Sequence, residues 1–189
     1  MEPYDLLRSF VAAAEQLGLR YLVTGSLATI AFGESRFTND IDVVVELPPE
    51  KVQPLCACFP APEYYVSETA ARQAVLEQRQ FNIIHPASGF KIDVIVAKKA
   101  PFDISRMSRA IRMTTGQGLQ VSFSSPEDII VKKLDYYRMG ESDKHLRDIT
   151  GILKSRGSQL DYDYLAKWIG EFQLDEIWQA VLKRHQGTS

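Results

Sequence analysis

Hydrophobic residues recur along the first part of the chain at two spacings, which predict a mixture of helices and strands. Apolar residues from Leu6 to Leu17 follow helical spacing, and short β-branched runs such as the one after Asp40 are typical of strands. The segment Pro86-Ala87-Ser88-Gly89 between two apolar runs predicts a β-hairpin. Helices are expected over 3–18, 27–32, 50–58 and 67–78, and strands over 21–23, 40–46, 80–85, 90–96 and 118–123.

The pattern changes after Ser124 and becomes helical. Ser125 suits a helix N-cap, Pro126 suits the first helical position, and the acidic pair Glu127 and Asp128 favours the first turn. Further helices are expected over 126–139, 143–156, 161–170 and 173–185. The sequence therefore predicts an α+β core at residues 1–124 and a helical C-terminal region at 125–189, packed on that core because no linker separates them.

Composition narrows the class of protein. The 189 residues are 45% hydrophobic and 24% charged, as in soluble globular chains. No apolar run approaches the ~20 residues of a membrane span, and the N-terminus lacks a signal-peptide pattern. We therefore expect no membrane partner and, by default, a cytoplasmic location. With three histidines and only Cys56 and Cys58 as cysteines, a zinc enzyme is not expected.

Charge is unevenly distributed, although the net charge is only −2. Residues 1–50 carry three basic and eight acidic side chains, whereas residues 91–157 carry thirteen basic and eight acidic ones. This asymmetry suits a site that binds metal with one part and phosphate with the other. It equally suits two solvated faces, and charge alone does not separate the two interpretations.

Three features of the core point to chemistry. Asp40 and Asp42 sit two residues apart on a predicted strand, so both carboxylates project from one face and favour a cation between them. Oxygen ligands without nearby His or Cys suit Mg²⁺ or Mn²⁺. Asp93 interrupts an apolar strand and, if that strand is a neighbour, becomes a third ligand of a site that can hold two metals. Gly25 and Ser26 precede a short helix, whose N-terminus suits phosphate.

Each feature has an ordinary alternative when taken alone. A D-x-D pair on a surface strand is common, a Gly-Ser pair is often only a turn, and a single buried Asp is often part of an ion pair. The joint pattern of Gly-Ser, D-x-D and a later strand with one Asp is much less easily produced by chance.

The segments V-T-G-S and R-F-T-N-D-I-D-V-V-V, with the later Asp93, resemble the signature of the nucleotidyltransferase (DNA polymerase β-like) superfamily. The R-x-T-x-D-I-D form and the later S-P-E-D, K-L and R-D segments are similar to its AbiEii-type toxin branch. The resemblance covers roughly residues 20–155. It implies a mixed β-sheet core flanked by helices, with a C-terminal helical bundle.

The resemblance also implies roles for individual residues. Gly25 and Ser26 would hold the β and γ phosphates of a nucleotide, and Asp40, Asp42 and Asp93 would bind Mg²⁺ (or Mn²⁺). Asp93 would be a metal ligand or the general base for the attacking hydroxyl.

Three further residues are implied in nucleotide binding, each with an ordinary alternative. Lys133 would contact phosphate or stabilise the leaving charge; otherwise it is a solvated helix lysine, and Lys132 differs from it by one position. Asp148 matches the later carboxylate of the branch, or pairs on the surface with a basic neighbour on its helix. Arg36 reaches a phosphate or pairs with Glu34.

The implied function is metal-dependent transfer of a nucleoside monophosphate from an NTP such as ATP to a hydroxyl of a protein, a tRNA or a small molecule. Membership of a toxin–antitoxin system, with a cognate protein partner, is also implied by the branch. The alternative is a non-catalytic module on the same fold that binds nucleotide or RNA, or acts as an antitoxin.

Overall fold

The computed structural model describes residues 3–33 and 40–186 of the chain. The helices are α1 (Pro3–Gln16), α2 (Gly25–Phe32), α3 (Val52–Ala57), α4 (Glu68–Glu77), α5 (Pro101–Ser108), α6 (Pro126–Gly140), α7 (Asp143–Arg156), α8 (Tyr162–Glu171) and α9 (Asp175–Gln186). The strands are β1 (Tyr21–Thr24), β2 (Asp40–Val45), β3 (Tyr65–Val66), β4 (Gln80–His85), β5 (Phe90–Val96), β6 (Ile111–Thr114) and β7 (Gln120–Phe123). Over these ranges, no helix combines the length and the hydrophobicity that a membrane crossing requires.

Contacts within the chain divide the described residues into two units. The first holds residues 3–27 and 40–124, and the second holds residues 28–33 and 125–186. The second unit thus takes in the last residues of α2 together with the C-terminal helices. The expected packing of residues 125–189 on the core stays a prediction.

The first unit is built on a seven-stranded mixed sheet in the order β3-β4-β5-β2-β1-β7-β6. Strand β2 pairs antiparallel with β1 and parallel with β5, and β4 and β5 form the expected antiparallel hairpin. Helix α1 contacts both β2 and β5. A mixed sheet with flanking helices confirms the α+β class expected from the sequence.

The two faces of the sheet differ because side chains alternate along each strand. On β2 and β5, Ile41, Val43, Ile92 and Val94 are buried and form one apolar face. On the opposite face, Met107 of α5 packs with Leu22 and Val44. Asp40 and Asp42 share this second face with Val44, at the other end of β2. The packing of α5 at one end therefore leaves polar positions at the other.

The second unit is a helical cluster in which α6 contacts α7, α8 and α9. Ser125 caps α6 by accepting a hydrogen bond from the Asp128 amide, and its hydroxyl donates to Asp128 Oδ2 at 2.7 Å. The Asp128 side chain is fully buried, and Tyr164 of α8 donates to its Oδ1 at 2.7 Å. The Ser155 hydroxyl of α7 donates to the Phe32 carbonyl. Hydrogen bonds to buried groups thus connect these helices.

Several elements differ from the sequence expectations. Helix α2 begins at Gly25 rather than Leu27, and β3, α5 and β6 were not expected. Strand β3 has only two residues and β6 is mostly exposed, so neither shows apolar alternation. Helix α5 does bury Phe102, Arg106 and Met107 at helical spacing. That signal is short and lies within a basic stretch, which obscures it.

Removing the Tyr164 hydroxyl should destabilise the second unit. Tyr164→Phe leaves Asp128 Oδ1 without this donor in a buried position, so we expect the free energy of unfolding to fall by about 1.5–3 kcal/mol. Urea denaturation followed by circular dichroism measures it. Tyr162→Phe is the matched control, since Tyr162 is 47% exposed on the same helix. Equal stability of the two variants would contradict the prediction.

Candidate active site

A row of four polar side chains crosses the first unit's sheet at one level. Thr24 of β1 is opposite Asp42 of β2, Asp42 is beside Asp93 of β5, and Asn82 of β4 is opposite Asp93. Residues paired in this way share a face of the sheet. With its amide oriented to suit its neighbours, Asn82 donates to Asp93 Oδ1 at 2.9 Å. The register therefore brings the two predicted carboxylates of β2 and β5 side by side.

A second pair of charges lies next to this row. Asp40 is beside Lys91 in the β2–β5 register. The Lys91 Nζ lies 3.2 and 3.0 Å from the two carboxylate oxygens of Asp93 and 3.6 Å from Asp40 Oδ1. The Asp93 side chain is only 13% exposed, whereas that of Asp40 is 54% exposed. The Lys91 ammonium group thus lies among the carboxylates for which the sequence predicts a metal cation.

The surroundings of Lys91 favour its charged form. The hydrogen bonds that it donates to Asp93 raise the pKa of Lys91 above its usual value; partial burial opposes this rise, and the negative charges of Asp93 and Asp40 add to it. Since the usual pKa of lysine is already well above neutrality, the side chain is an ammonium ion at neutral pH.

Gly25 is required by the close approach of α2 to β2. A Cβ atom at Gly25 would lie 1.9 Å from Asp42 Oδ2 and 2.7 Å from its Cγ. Gly25 also has a φ of 61°, in the region that favours glycine. Ser26 is the second residue of α2. The Asp42 carboxylate therefore lies directly at the positive N-terminal end of this helix.

The donor set fits a hard divalent cation, although an ammonium group holds part of it. Within residues 3–33 and 40–186, no group of three or more His, Cys, Asp or Glu side chains is arranged to hold a metal ion. The carboxylates of Asp40, Asp42 and Asp93 nevertheless share one face and supply only oxygen, and those of Asp40 and Asp93 already attract the Lys91 ammonium. These three residues would hold Mg²⁺ or Mn²⁺, as the sequence predicts; their role as ligands stays a prediction.

Two other predicted residues meet in the second unit. Lys133 Nζ of α6 donates to Asp148 Oδ2 of α7 at 2.6 Å, and the two side chains are 7% and 8% exposed. Lys133 is therefore not the solvated helix lysine that the sequence left open. Lys132 instead pairs with Asp135 at 2.8 Å. The nucleotide-binding roles of Lys133 and Asp148 stay predictions, and Arg36 lies outside the described residues.

Sequence reasoning missed two members of this site. Lys91 and Asp93 stand two residues apart on one strand, so the rule that pairs Asp40 with Asp42 also places Lys91 on the Asp93 face. That signal was present and was not used. Asn82 depends on the β4–β5 register, which the hairpin loop length alone does not fix.

Comparison with known proteins identifies the fold. No family model and no curated protein matches the sequence. The solution structure of the antibiotic-resistance factor ANT(2'')-Ia matches with a TM-score of 0.59 and 19% identity, over 98% of this chain and 97% of that chain. A crystal structure of ANT(2'')-Ia with adenylyl-2''-tobramycin matches with a TM-score of 0.56 and 18% identity, over 89% of this chain and 95% of that chain.

A third match is an antigenic nucleotidyltransferase-like protein from Paracoccidioides brasiliensis. Its TM-score is 0.53 and its identity 19%, over 94% of this chain and 91% of that chain. This chain has the nucleotidyltransferase fold. The superfamily resemblance is thereby supported at the level of fold, and the narrower resemblance to AbiEii-type toxins stays a prediction.

A side chain at Gly25 should displace the Asp42 carboxylate. We expect Gly18→Ala to cost about 1 kcal/mol, because its φ of 63° is strained for alanine but nothing lies within 4 Å of a Cβ there. Gly25→Ala should cost a further ~1–3 kcal/mol, because the same strain is joined by a clash. Thermal and urea unfolding of both variants measure the difference. Equal losses would show that Asp42 does not constrain Gly25.

Proposed function

We propose that this chain is a metal-dependent nucleotidyltransferase that moves a nucleoside monophosphate from an NTP to a hydroxyl group. The observation that carries the proposal is the register of β2 and β5, which sets Asp42 beside Asp93 at the N-terminal end of α2. Carboxylates supply metal ligands and a proton acceptor, and a helix N-terminus favours the negative charge of phosphate. The matching fold supports this assignment.

In the proposed reaction, the acceptor oxygen attacks the α-phosphorus of the NTP. The bond from that phosphorus to the bridging oxygen breaks, and pyrophosphate leaves with the bonding electron pair. Asp93 takes the proton of the acceptor hydroxyl. The amide groups at the start of α2, at Gly25 and Ser26, bind phosphate oxygens. Asp40, Asp42 and Asp93 would hold a divalent cation, and its charge would neutralise that of the phosphates.

The acceptor is proposed only by class. ANT(2'')-Ia has been solved with adenylyl-2''-tobramycin, a small molecule that carries an adenylyl group. By analogy the acceptor here is a hydroxyl-bearing small molecule, with a protein side chain or a tRNA end as the other outcomes of the test. A role in a toxin–antitoxin system, with a cognate protein partner, is compatible with any of these acceptors.

Nucleotide binding should depend on metal and on the β2 carboxylates. Thermal unfolding is measured with Mg²⁺ and each of the four NTPs. A ligand at 100 times its Kd stabilises by about 2.7 kcal/mol, which raises Tm by several degrees. We expect this rise for at least one NTP and its loss in Asp40→Ala/Asp42→Ala. The control is Glu46→Gln, which alters the residue after β2, at the far end from the site. A rise retained in the double variant would contradict the proposal.

Transfer itself should require Asp93. The protein is incubated with [α-³²P]NTP or [γ-³²P]NTP and a cell extract that is then separated into protein, RNA and small-molecule fractions. We expect α label, and not γ label, to enter one fraction, and Asp93→Asn to lower the rate by about 10²–10⁴-fold because the general base is lost. Nucleotide binding without any label transfer would favour the non-catalytic module. Transfer of γ label would contradict the proposed bond cleavage.

A further inference from the structure

The Lys91 ammonium group has an unusual position for a surface lysine. It donates to both oxygens of Asp93, at 3.2 and 3.0 Å, and lies 3.6 Å from Asp40 Oδ1. The parallel register places Lys91 beside Asp40 and two residues before Asp93, so the backbone fixes this meeting of one cation with two carboxylates. Lys91 is thus part of the carboxylate site and not a neighbour of it.

A divalent cation and the Lys91 ammonium group cannot both bind the carboxylates of Asp40 and Asp93 as strongly as either would alone. Both require the oxygens of Asp93, and two positive charges a few ångströms apart repel each other. Asn82 donates to Asp93 Oδ1 as well, which leaves still less accepting capacity for a metal. Entry of a metal therefore requires the ammonium group to withdraw.

The side chain of Lys91 is able to make this movement. It is 35% exposed, and a lysine carries its charge on a flexible stem of four carbons. Its withdrawal disrupts no backbone pairing of β5, since only the side chain moves. The partial exposure also means that the ammonium group regains hydration when it leaves.

We propose that Lys91 is an internal counter-cation that occupies the carboxylate site in the metal-free protein and competes with the divalent metal. This inference rests on the proposed function, because it concerns the same three carboxylates. The metal-free protein gains stability from Lys91, because its ammonium group offsets the negative charges of Asp40 and Asp93. The metal binds more weakly than it would to the carboxylates alone.

The test is Mn²⁺ binding, measured by electron paramagnetic resonance of free Mn²⁺ without any nucleotide. Lys91→Met keeps an unbranched, flexible side chain that is one atom shorter and removes its charge. We expect it to bind Mn²⁺ about tenfold more tightly than the wild type. Lys98→Met is the matched control, because Lys98 follows β5 at the other end of the sheet; it should bind like the wild type. Lys91→Arg keeps the charge and should keep the weaker affinity.

Stability gives a second, independent readout. In EDTA, Lys91→Met should unfold at a lower temperature than the wild type, and saturating Mn²⁺ should reduce or reverse this difference in unfolding temperature.

Should Lys91→Met fail to fold, the wild type still tests the inference. The ¹⁵N resonance of the Lys91 ammonium is expected to shift when Mg²⁺ is added, whereas that of Lys98 stays in place. An unchanged Lys91 resonance in a metal-bound protein would overturn the proposal.

The outcomes separate this inference from the proposed function. Equal or weaker Mn²⁺ binding by Lys91→Met would overturn competition by Lys91 and leave the metal site intact. Absence of Mn²⁺ binding in the wild type and in Lys91→Met would overturn both the competition and the metal-dependent mechanism. Tighter binding by Lys91→Met, together with wild-type affinity of Lys98→Met, is the result that supports the inference.

Discussion

Asp42 and Asp93 lie beside each other on parallel strands, and their mutual repulsion is the constraint around which the site is organised. Two carboxylates at this spacing require positive charge or hydrogen-bond donors. The described residues supply both, since Lys91 and Asn82 donate to Asp93 and the N-terminus of α2 lies against Asp42. Each of these partners also limits the room for the metal and the triphosphate of the proposed function. Lys91, Asn82 and the N-terminus of α2 therefore offset part of the negative charge of these carboxylates.

The hydrophobic packing of the sheet explains why these charges collect at one end. Met107 of α5 packs with Leu22 and Val44 on the same face, and this apolar contact covers one end of the central strands. The opposite face carries buried residues such as Val43 and Ile92 along its length. The polar side chains of β2, Asp40 and Asp42, lie at the end of the strand away from the contact of Val44 with Met107. On this face of the six-residue strand β2, the end with Val44 is therefore packed among apolar side chains, and the end with Asp40 and Asp42 is polar.

The sequence predicted the central strands, and it placed Asp93 beside the D-x-D pair on the condition that the two strands are neighbours, which the pairing of β2 with β5 meets. It did not predict the partners that come from register. Asn82 reaches Asp93 only through the pairing of β4 with β5, and Lys133 meets Asp148 across two helices. Local periodicity identifies which face a residue occupies but not which residue lies opposite, since that depends on tertiary packing. Lys91 is different, because its place was available from the same two-residue spacing.

The ionic groups of the two units differ in how far they are exposed to water. Lys133 and Asp148 are both almost fully buried, so removing either one would leave a buried charge without this ion-pair partner, at a large desolvation cost. Lys91 and Asp40 retain access to water, so the charges of the first unit can separate at modest cost. The proposed function, in which the site admits a cation and releases a product, requires the second condition. The charges of the sheet are therefore better suited to exchange partners than the buried Lys133–Asp148 pair, whose nucleotide-binding role stays a prediction.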